Sequence, residues 1–279
     1  MAYPMARWRL LNTGAADGAT NMAIDEAILR AVVAGLAPPT LRFYAWQPPC
    51  LSLGQAQPSS EVDGAACAAR GYHVVRRPTG GRAILHTDEL TYSVAGPQDE
   101  PRLAGGVLES YRVLAQALLY ALHLLGIPAQ AEEKPGSATA PAGPANQNPV
   151  CFEVPSNYEI TVGGKKLIGS AQARRQQGVL QHGSLPLYGD LTRIVQALAF
   201  PDAAARDRAA GRLLERATTA ERILGRPLVW DRAALAFADA FAERLNIQLQ
   251  PAELSPQELE RATALMWEKY ANPAWTARM

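Results

Sequence analysis

Residues 76–86 read Arg-Arg-Pro-Thr-Gly-Gly-Arg-Ala-Ile-Leu-His, and this stretch does most to indicate the fold. Strand-like runs at His73–Arg77 and Arg82–His86 overlap its ends, and the Pro-Thr-Gly-Gly sequence predicts a turn between them. Because glycine has no side chain, the Gly80-Gly81 pair lets the backbone approach a ligand closely and leaves its N–H donors unshielded. Taken alone, the pair predicts no more than a turn, and the arginines beside it no more than a solvated face.

A second stretch, residues 164–174, reads Gly-Lys-Lys-Leu-Ile-Gly-Ser-Ala-Gln-Ala-Arg. It predicts a strand that follows a Gly163-Gly164 hairpin turn. The run Gly169-Ser170-Ala171 puts small residues inside this strand, which leaves room for a long, thin ligand against the sheet. The alternative is a strand that packs closely under a helix.

Together the two stretches resemble the biotin/lipoate protein ligase family, and in particular its lipoate-attachment branch. The resemblance extends over nearly the whole chain, through Asn21–Ala27, Leu41–Tyr44 and Gln181–Ser184. It implies an α+β fold of the class II synthetase-like type, with a mixed β-sheet, flanking helices and a helical C-terminal part. It also implies that Lys166 contacts the carbonyl group of the acyl substrate. The residues that it implies for the acyl tunnel are Arg77, Gly80, Gly81, His86, Gly169, Ser170 and Ala171.

Cys151 begins the segment Cys-Phe-Glu-Val-Pro-Ser, about fifteen residues before Lys166. A free cysteine has a pKa of about 8.5 and is mostly protonated at neutral pH, whereas a nearby ammonium group favours the reactive thiolate. Lysine is rare in this chain and, unlike arginine, can lose its proton when it is desolvated. We therefore expect Lys166 to assist Cys151, as a charge partner or as a base. The resemblance makes the neighbouring Lys165 auxiliary.

Within the family, the pattern Cys-Phe-x-x-Pro-Ser-x-Tyr-Glu at residues 151–159 resembles the cysteine-dependent octanoyltransferases of lipoate assembly. This implies that octanoate passes from octanoyl-acyl carrier protein to Cys151, and then to a lysine of the glycine cleavage H protein or another lipoyl domain. Because donor and enzyme intermediate are both thioesters, the first step is nearly isoenergetic and needs no ATP or other cofactor. Backbone N–H groups near Gly80-Gly81 or Lys166 are candidates for stabilising the oxyanion.

Three other functions fit parts of this sequence. An amidotransferase of the same fold differs only in its donor, which is octanoylated H protein. An ATP-dependent lipoate ligase needs no nucleophilic cysteine and usually carries an accessory domain, for which this chain has little room. A non-catalytic binder of lipoyl domains would need neither Cys151 nor Lys166, so the presence of both residues argues against it.

The order of the predicted elements, with strands first and helices last, independently indicates an α+β protein. We expect a single catalytic domain over residues 1–279, with its core at about 35–250. Residues 131–150 are rich in Pro, Ala and Gly, which predicts a flexible loop before Cys151. Helices are predicted at 20–34, 106–125, 190–199, 202–216, 231–245 and 255–271.

The composition excludes several classes of protein. A net charge of +1 gives no general reason to expect binding to nucleic acid or to a membrane. Cys50, Cys67 and Cys151 are odd in number and widely spaced, which argues against a disulfide framework and a zinc site and for a reducing cytoplasm. We expect Cys50 and Cys67 to be small buried hydrophobes, the chain to hold no metal, and the protein to be a monomer.

Local charge and the histidines complete the set of candidate residues. His86 and His182 are either part of the site or hydrogen-bonded strand residues. Acyl carrier proteins and lipoyl domains are typically acidic, so basic residues in the two stretches would attract them. The alternative is that Glu89, Glu153 and Glu159 compensate these charges within the chain. The residues predicted for this basic rim are Arg82, Lys165, Arg174 and Arg175.

Overall fold

The computed structural model describes residues 3–133 and 158–278. Its strands are β1 (Ala6–Ala16), β2 (Thr40–Trp46), β3 (Cys50–Leu53), β4 (His73–Arg76), β5 (Ile84–His86), β6 (Glu89–Pro97), β7 (Gln130–Glu133), β8 (Tyr158–Val162), β9 (Lys165–Arg175), β10 (Gly178–Pro186) and β11 (Ile247–Pro251). Its helices are α1 (Gly18–Val33), α2 (Gly64–Ala69), α3 (Val107–Leu124), α4 (Ala203–Arg216), α5 (Ala220–Leu224), α6 (Trp230–Leu245), α7 (Pro256–Leu265) and α8 (Pro273–Ala277).

Two sheets organise the described ranges. Eight strands form the large sheet in the order β11-β1-β2-β6-β10-β9-β8-β7, and three form the small sheet in the order β4-β3-β5. In the large sheet, β11, β1 and β2 run parallel, whereas the pairs from β2 to β7 are antiparallel. The large sheet is therefore mixed, as the family resemblance implies.

Helices cover both faces of the large sheet because each face carries an apolar layer. On one face α3 and α6 pack against each other and bury Leu114, Leu118, Phe237 and Phe241. On the other face α1 and α7 pack against each other over a second buried cluster. A third cluster lies between the small sheet and α4. None of the helices in the described ranges is long and apolar enough to cross a membrane.

The turn predicted between β4 and β5 does not join two paired strands. Strand β3 lies between them, parallel to β4 and antiparallel to β5. The Gly80-Gly81 loop therefore crosses over the end of β3, where a Cβ atom on Gly54 would lie only 1.8 Å from the carbonyl oxygen of Gly81. Any side chain at position 54 would displace this loop, so Gly54 keeps it close to the sheet.

Three further predictions differ in part from the structure. Residues 131–133 belong to β7, which pairs with β8, and so they are not loop; the rest of the predicted loop, 134–150, lies outside the described residues. The helix predicted at 190–199 is a 3₁₀ turn, Leu191–Gln196. The helix predicted at 255–271 consists of α7 followed by a π-helical turn, Met266–Tyr270. Cys50 and Cys67 are buried, as predicted.

Candidate active site

A cavity lies between the two sheets. It encloses about 420 Å³ of space, including its open mouth. One wall is formed by β2, β6, β10 and β9 of the large sheet, together with α1. The other is formed by β3, β5 and the loop that follows β4. This is the side of the large sheet that also carries α1, and the small sheet forms a roof over part of it.

Most of the residues predicted for the acyl tunnel meet in this cavity. Its lining includes Arg77, Gly81, His86, Gly169, Ser170 and Ala171. The fold thus brings together two stretches that are about ninety residues apart in the sequence. Gly80 lies in the same loop as Gly81 and is exposed.

The side chain of Arg77 holds the Gly80-Gly81 loop in place. Its Nη2 atom donates hydrogen bonds to the carbonyl oxygens of Gly80 and Arg82, both at 2.8 Å. Its Nη1 atom donates to the carbonyl oxygen and the hydroxyl oxygen of Ser52, at 3.0 and 3.1 Å. Because a guanidinium group is a flat fork of donors, one side chain can connect the loop to β3 in this way.

A first buried hydrogen-bond network is centred on His86. Its Nδ1 atom lies 2.6 Å from Oε1 of Glu89, and its Nε2 atom lies 2.8 Å from the hydroxyl oxygen of Ser52. Thr91 and Ser184 donate to the same carboxylate oxygen of Glu89. Burial alone would raise the pKa of Glu89, but His86 and these donors lower it. The network ties β5 of the small sheet to β6 and β10 of the large one.

A second buried network is centred on Asp25 of α1. Its carboxylate forms an ion pair with Arg42 at 2.6 Å and accepts hydrogen bonds from Tyr44 and Ser93. Its Oδ2 atom lies 3.4 Å from Nδ1 of His182, whose Nε2 atom lies 2.7 Å from the hydroxyl oxygen of Thr79. This chain of contacts connects α1, through β10, to the Gly80-Gly81 loop.

Protonation within the second network follows from burial and charge. Burial lowers the pKa of His182, although the Asp25 carboxylate opposes the shift. Burial would raise the pKa of Asp25, but the Arg42 guanidinium and the hydrogen bond from His182 outweigh it, so the pKa is lowered. Neutral His182 therefore faces ionised Asp25.

The two networks explain how a lining with many polar residues can accept an apolar chain. The side-chain polar groups of Ser52, His86, Thr91, His182 and Ser184 each have a hydrogen-bond partner within the protein. A buried polar group is costly only when it lacks a partner. An alkyl chain in the cavity would therefore leave these groups satisfied.

The structure describes only one of the two predicted catalytic residues, Lys166. Cys151 lies outside the described residues. Lys166, near the start of β9, is buried, and its Nζ atom lies 3.2 Å from Oε1 of buried Glu159 on β8. Its carbonyl oxygen accepts a hydrogen bond from the backbone N–H of Thr218. Lys166 is not among the described residues that line the cavity.

The residues predicted for the basic rim have different environments. Arg175 is exposed at the end of β9. Arg82 forms an ion pair with Glu61 at 3.1 Å. Lys165 donates to the carbonyl oxygen of Leu214 at 2.7 Å, and Arg174 donates to the carbonyl oxygen of Leu103 at 2.6 Å. Of the four, Lys165 and Arg174 thus serve to connect elements within the chain.

The C-terminal residues reach back to the arginine next to Arg77. Buried Arg76 donates from Nε and Nη2 to the carbonyl oxygen of Thr276, at 3.1 and 2.7 Å. Trp275 in turn donates from Nε1 to the carbonyl oxygen of Arg76 at 2.8 Å. These bonds fix the end of β4, from which the Gly80-Gly81 loop begins.

Sequence reasoning did not single out the acidic residues of the site. Asp25 lies in Asn21–Ala27, a stretch that carries the resemblance, and Glu89 enters only as an alternative charge partner of the rim arginines. A signal was nevertheless present, because a charged residue within an otherwise apolar helical stripe or strand needs a buried partner. The partners, Arg42 and His86, could be identified only once the fold was known.

Comparison with known proteins agrees with this geometry. Residues 17–242 match the family of the lipoyl protein ligase A/B catalytic domain. The chain belongs to this family. It is 44% identical to Octanoyltransferase LipM of Kyrpidia tusciae, over 98% of this chain and 100% of that protein. It is also 44% identical to Octanoyltransferase LipM of Symbiobacterium thermophilum, over 97% and 98%.

The fold is also shared with solved structures. One of them comes from the structural analysis of an archaeal lipoylation system, a bi-partite lipoate protein ligase and its E2 lipoyl domain from Thermoplasma acidophilum. It superposes on this chain with a TM-score of 0.79 at 26% identity. The match covers 98% of this chain and 96% of that one. The family resemblance, the α+β fold and the assignment to the acyltransferase class of enzymes are thereby confirmed.

Proposed function

We propose that this chain is an octanoyltransferase of lipoate biosynthesis, which moves octanoate from octanoyl-acyl carrier protein to a lysine of an acceptor protein. The observation that carries the proposal is the 44% identity, over nearly the full length of both chains, with proteins named Octanoyltransferase LipM. The cavity between the sheets supports it, because a narrow, buried space whose polar groups are already bonded suits an alkyl chain.

Cys151 is the proposed nucleophile. Its thiolate attacks the carbonyl carbon of the octanoyl thioester, a new carbon–sulfur bond forms, and the carrier's thiolate leaves and takes up a proton. In the second half-reaction the amine of the acceptor lysine attacks the acyl-Cys151 thioester. The carbon–sulfur bond breaks, the amine loses a proton, and a stable amide and the free thiol result. Neither half-reaction needs ATP.

Lys166 is the proposed activator of Cys151. An ammonium group near a thiol favours the thiolate. The Nζ atom of Lys166 forms an ion pair with the buried carboxylate of Glu159, 3.2 Å away. This supports the role of charge partner over that of base.

The acyl chain is proposed to lie in the cavity, with Arg77, Gly80, Gly81, His86, Gly169, Ser170 and Ala171 around it. Arg77 would act by holding the Gly80-Gly81 loop, whose exposed backbone N–H groups are candidates for stabilising the oxyanion. His86 would keep the small sheet in position over the large one.

The acceptor is proposed to be the glycine cleavage H protein or another lipoyl domain, recognised through a basic rim in which Arg175 and Arg82 are the better candidates. We further propose a single catalytic domain, with its core at about residues 35–250, and a cytoplasmic monomer. Free thiols at Cys50 and Cys67 fit a reducing compartment.

The test is to mix the purified protein with octanoyl-acyl carrier protein, without ATP, and to measure its intact mass. We expect an octanoyl adduct that hydroxylamine removes, that Cys151→Ala abolishes and that apo H protein discharges. An adduct from octanoylated H protein but not from the carrier protein would indicate the amidotransferase. Activity only with ATP and free lipoate, and no adduct, would indicate a ligase and refute the proposal.

A further inference from the structure

The cavity has an open end and a closed end. It crosses four adjacent strands of the large sheet in the order β9, β10, β6 and β2. At the β9 end Ala171 is partly exposed, and Gly81 of the facing loop is exposed. At the β2 end Tyr44 is 0% exposed and Trp46 is 4% exposed. The cavity therefore opens near β9 and ends at β2.

Met22 of α1 lines the cavity, is 1% exposed and packs in one buried cluster with Tyr44 and Trp46 of the β2 end. The two aromatic side chains are fixed by hydrogen bonds. Tyr44 donates to Oδ2 of Asp25 at 3.0 Å, and Trp46 donates to the hydroxyl oxygen of Thr91 at 2.8 Å.

The length of the cavity matches a medium acyl chain. Neighbouring strands lie about 4.8 Å apart, so three spacings extend over about 14 Å. Van der Waals contact with the closing side chains takes up about 4 Å of this distance. An extended chain of eight carbons has seven bonds and spans about 8 Å, if each bond advances as in an extended polypeptide. Eight carbons therefore fit, and a few more would meet Met22.

We infer that Met22 sets the longest acyl chain that this protein accepts. The inference rests on the proposed function, because it requires the acyl chain to lie in this cavity with its methyl end toward β2. A longer chain must displace the Met22 side chain from the buried cluster between α1 and the sheet. A shorter side chain at position 22 opens the inner end, and a bulkier one shortens the cavity.

The experiment compares rates of adduct formation on the purified full-length protein, measured by intact mass, with hexanoyl-, octanoyl- and dodecanoyl-acyl carrier protein. Met22→Ala is expected to raise the dodecanoyl rate relative to the octanoyl rate by at least tenfold. Met22→Phe is expected to lower the octanoyl rate relative to the hexanoyl rate by a similar factor. Met22→Ala enlarges the cavity and Met22→Phe reduces it. If only one of the two variants folds, that variant alone still tests the inference.

Ile28→Ala is the matched control, because Ile28 lies on the same helix, is 1% exposed and is not part of the cavity lining. It removes buried methyl groups from α1 and should leave the ratios of rates unchanged. Unchanged ratios in the folded Met22 variants would overturn the inference and leave the proposed function standing. No adduct on the wild-type protein from any of the three donors would overturn both.

Discussion

The Nζ atom of Lys166 lies 3.2 Å from Oε1 of Glu159, and both side chains are buried. Removing one partner of a buried ion pair typically costs about 3–5 kcal/mol of stability, because it leaves a charge in a low-dielectric environment. We expect Glu159→Gln to lower the free energy of unfolding by several kcal/mol and to slow adduct formation. Urea unfolding and intact-mass kinetics measure the two effects.

Replacing the lysine itself tests its chemical role. Lys166→Met keeps most of the volume and removes the charge, so we expect the thiolate fraction of Cys151, and with it the rate of adduct formation, to fall by about tenfold or more. Lys165→Met is the matched control, since Lys165 donates to a backbone carbonyl of α4, and its loss should change the rate by less than about threefold. Adduct formation at the wild-type rate in Lys166→Met would exclude the proposed role.

The three cysteines should react differently with an alkylating agent. Cys50 and Cys67 are 0% and 1% exposed, and burial raises the pKa of both thiols. Buried, protonated thiols react slowly. We expect iodoacetamide to label the folded protein once, at Cys151, and the unfolded protein three times, as peptide mass mapping would show. Rapid labelling of Cys50 in the folded protein would contradict the burial.

Acid should destabilise the protein partly through His182. Burial lowers its pKa in the folded state, so below about pH 6.5 the unfolded state binds the proton more readily. The stability contributed by neutral His182 is therefore present above the unfolded pKa and is lost as the pH falls toward the lower, folded pKa. Asp25, whose pKa is also lowered, acts in the same direction below its ordinary value of 3.8.

We expect the free energy of unfolding to fall between pH 7 and pH 5, by at most about 1.4 kcal/mol per pH unit for this one histidine. His182→Gln should flatten that dependence, whereas His123→Gln, at an exposed position of α3, is the matched control. Urea unfolding at several pH values measures the slopes. Equal slopes in wild type and His182→Gln would rule out this contribution.

Even the conservative substitution Arg77→Lys should destabilise the protein. Its guanidinium group donates to Ser52 on one side and to Gly80 and Arg82 on the other, and a single ammonium group cannot reach both sides. We expect Arg77→Lys to lower stability by about 1–3 kcal/mol and to raise the KM for the acyl donor. The control Arg82→Lys alters an ion pair nearer the surface and should cost less than about 1 kcal/mol.

Exposed Arg175 tests the basic rim. Charge reversal in Arg175→Glu should lower kcat/KM for octanoyl-acyl carrier protein by about three- to tenfold at low salt, and the difference should shrink at high salt. Arg261→Glu, at an exposed position of α7, carries the same change in net charge. Equal effects of the two variants would mean that net charge, and not this position, governs carrier binding.

Local sequence patterns were sufficient to predict the elements whose ends are marked by neighbouring residues in the sequence. Strand-like runs at Thr40–Trp46 and Cys50–Leu53, separated by Pro48-Pro49, predict two strands, and β2 and β3 have these bounds. Helix α3 differs from its prediction by one residue at each end. The two stretches that carry the family resemblance also supply seven residues of the cavity lining, six of which are predicted for the acyl tunnel.

Elements that depend on distant partners were not predictable in the same way. Strand β11 is a short Ile-Gln-Leu-Gln-Pro run that becomes a strand by pairing in parallel with β1, about 240 residues away. The insertion of β3 between β4 and β5 likewise depends on long-range pairing. The same holds for the Asp25–His182–Thr79 contacts, because no periodicity in the sequence encodes which helix will lie over which strand.

The bonds between Arg76 and the pair Trp275 and Thr276 also couple distant parts of the chain. They join the end of β4 to α8, about 200 residues later in the sequence. Any change that detaches α8 therefore also loosens the residue next to Arg77, and with it the start of the Gly80-Gly81 loop.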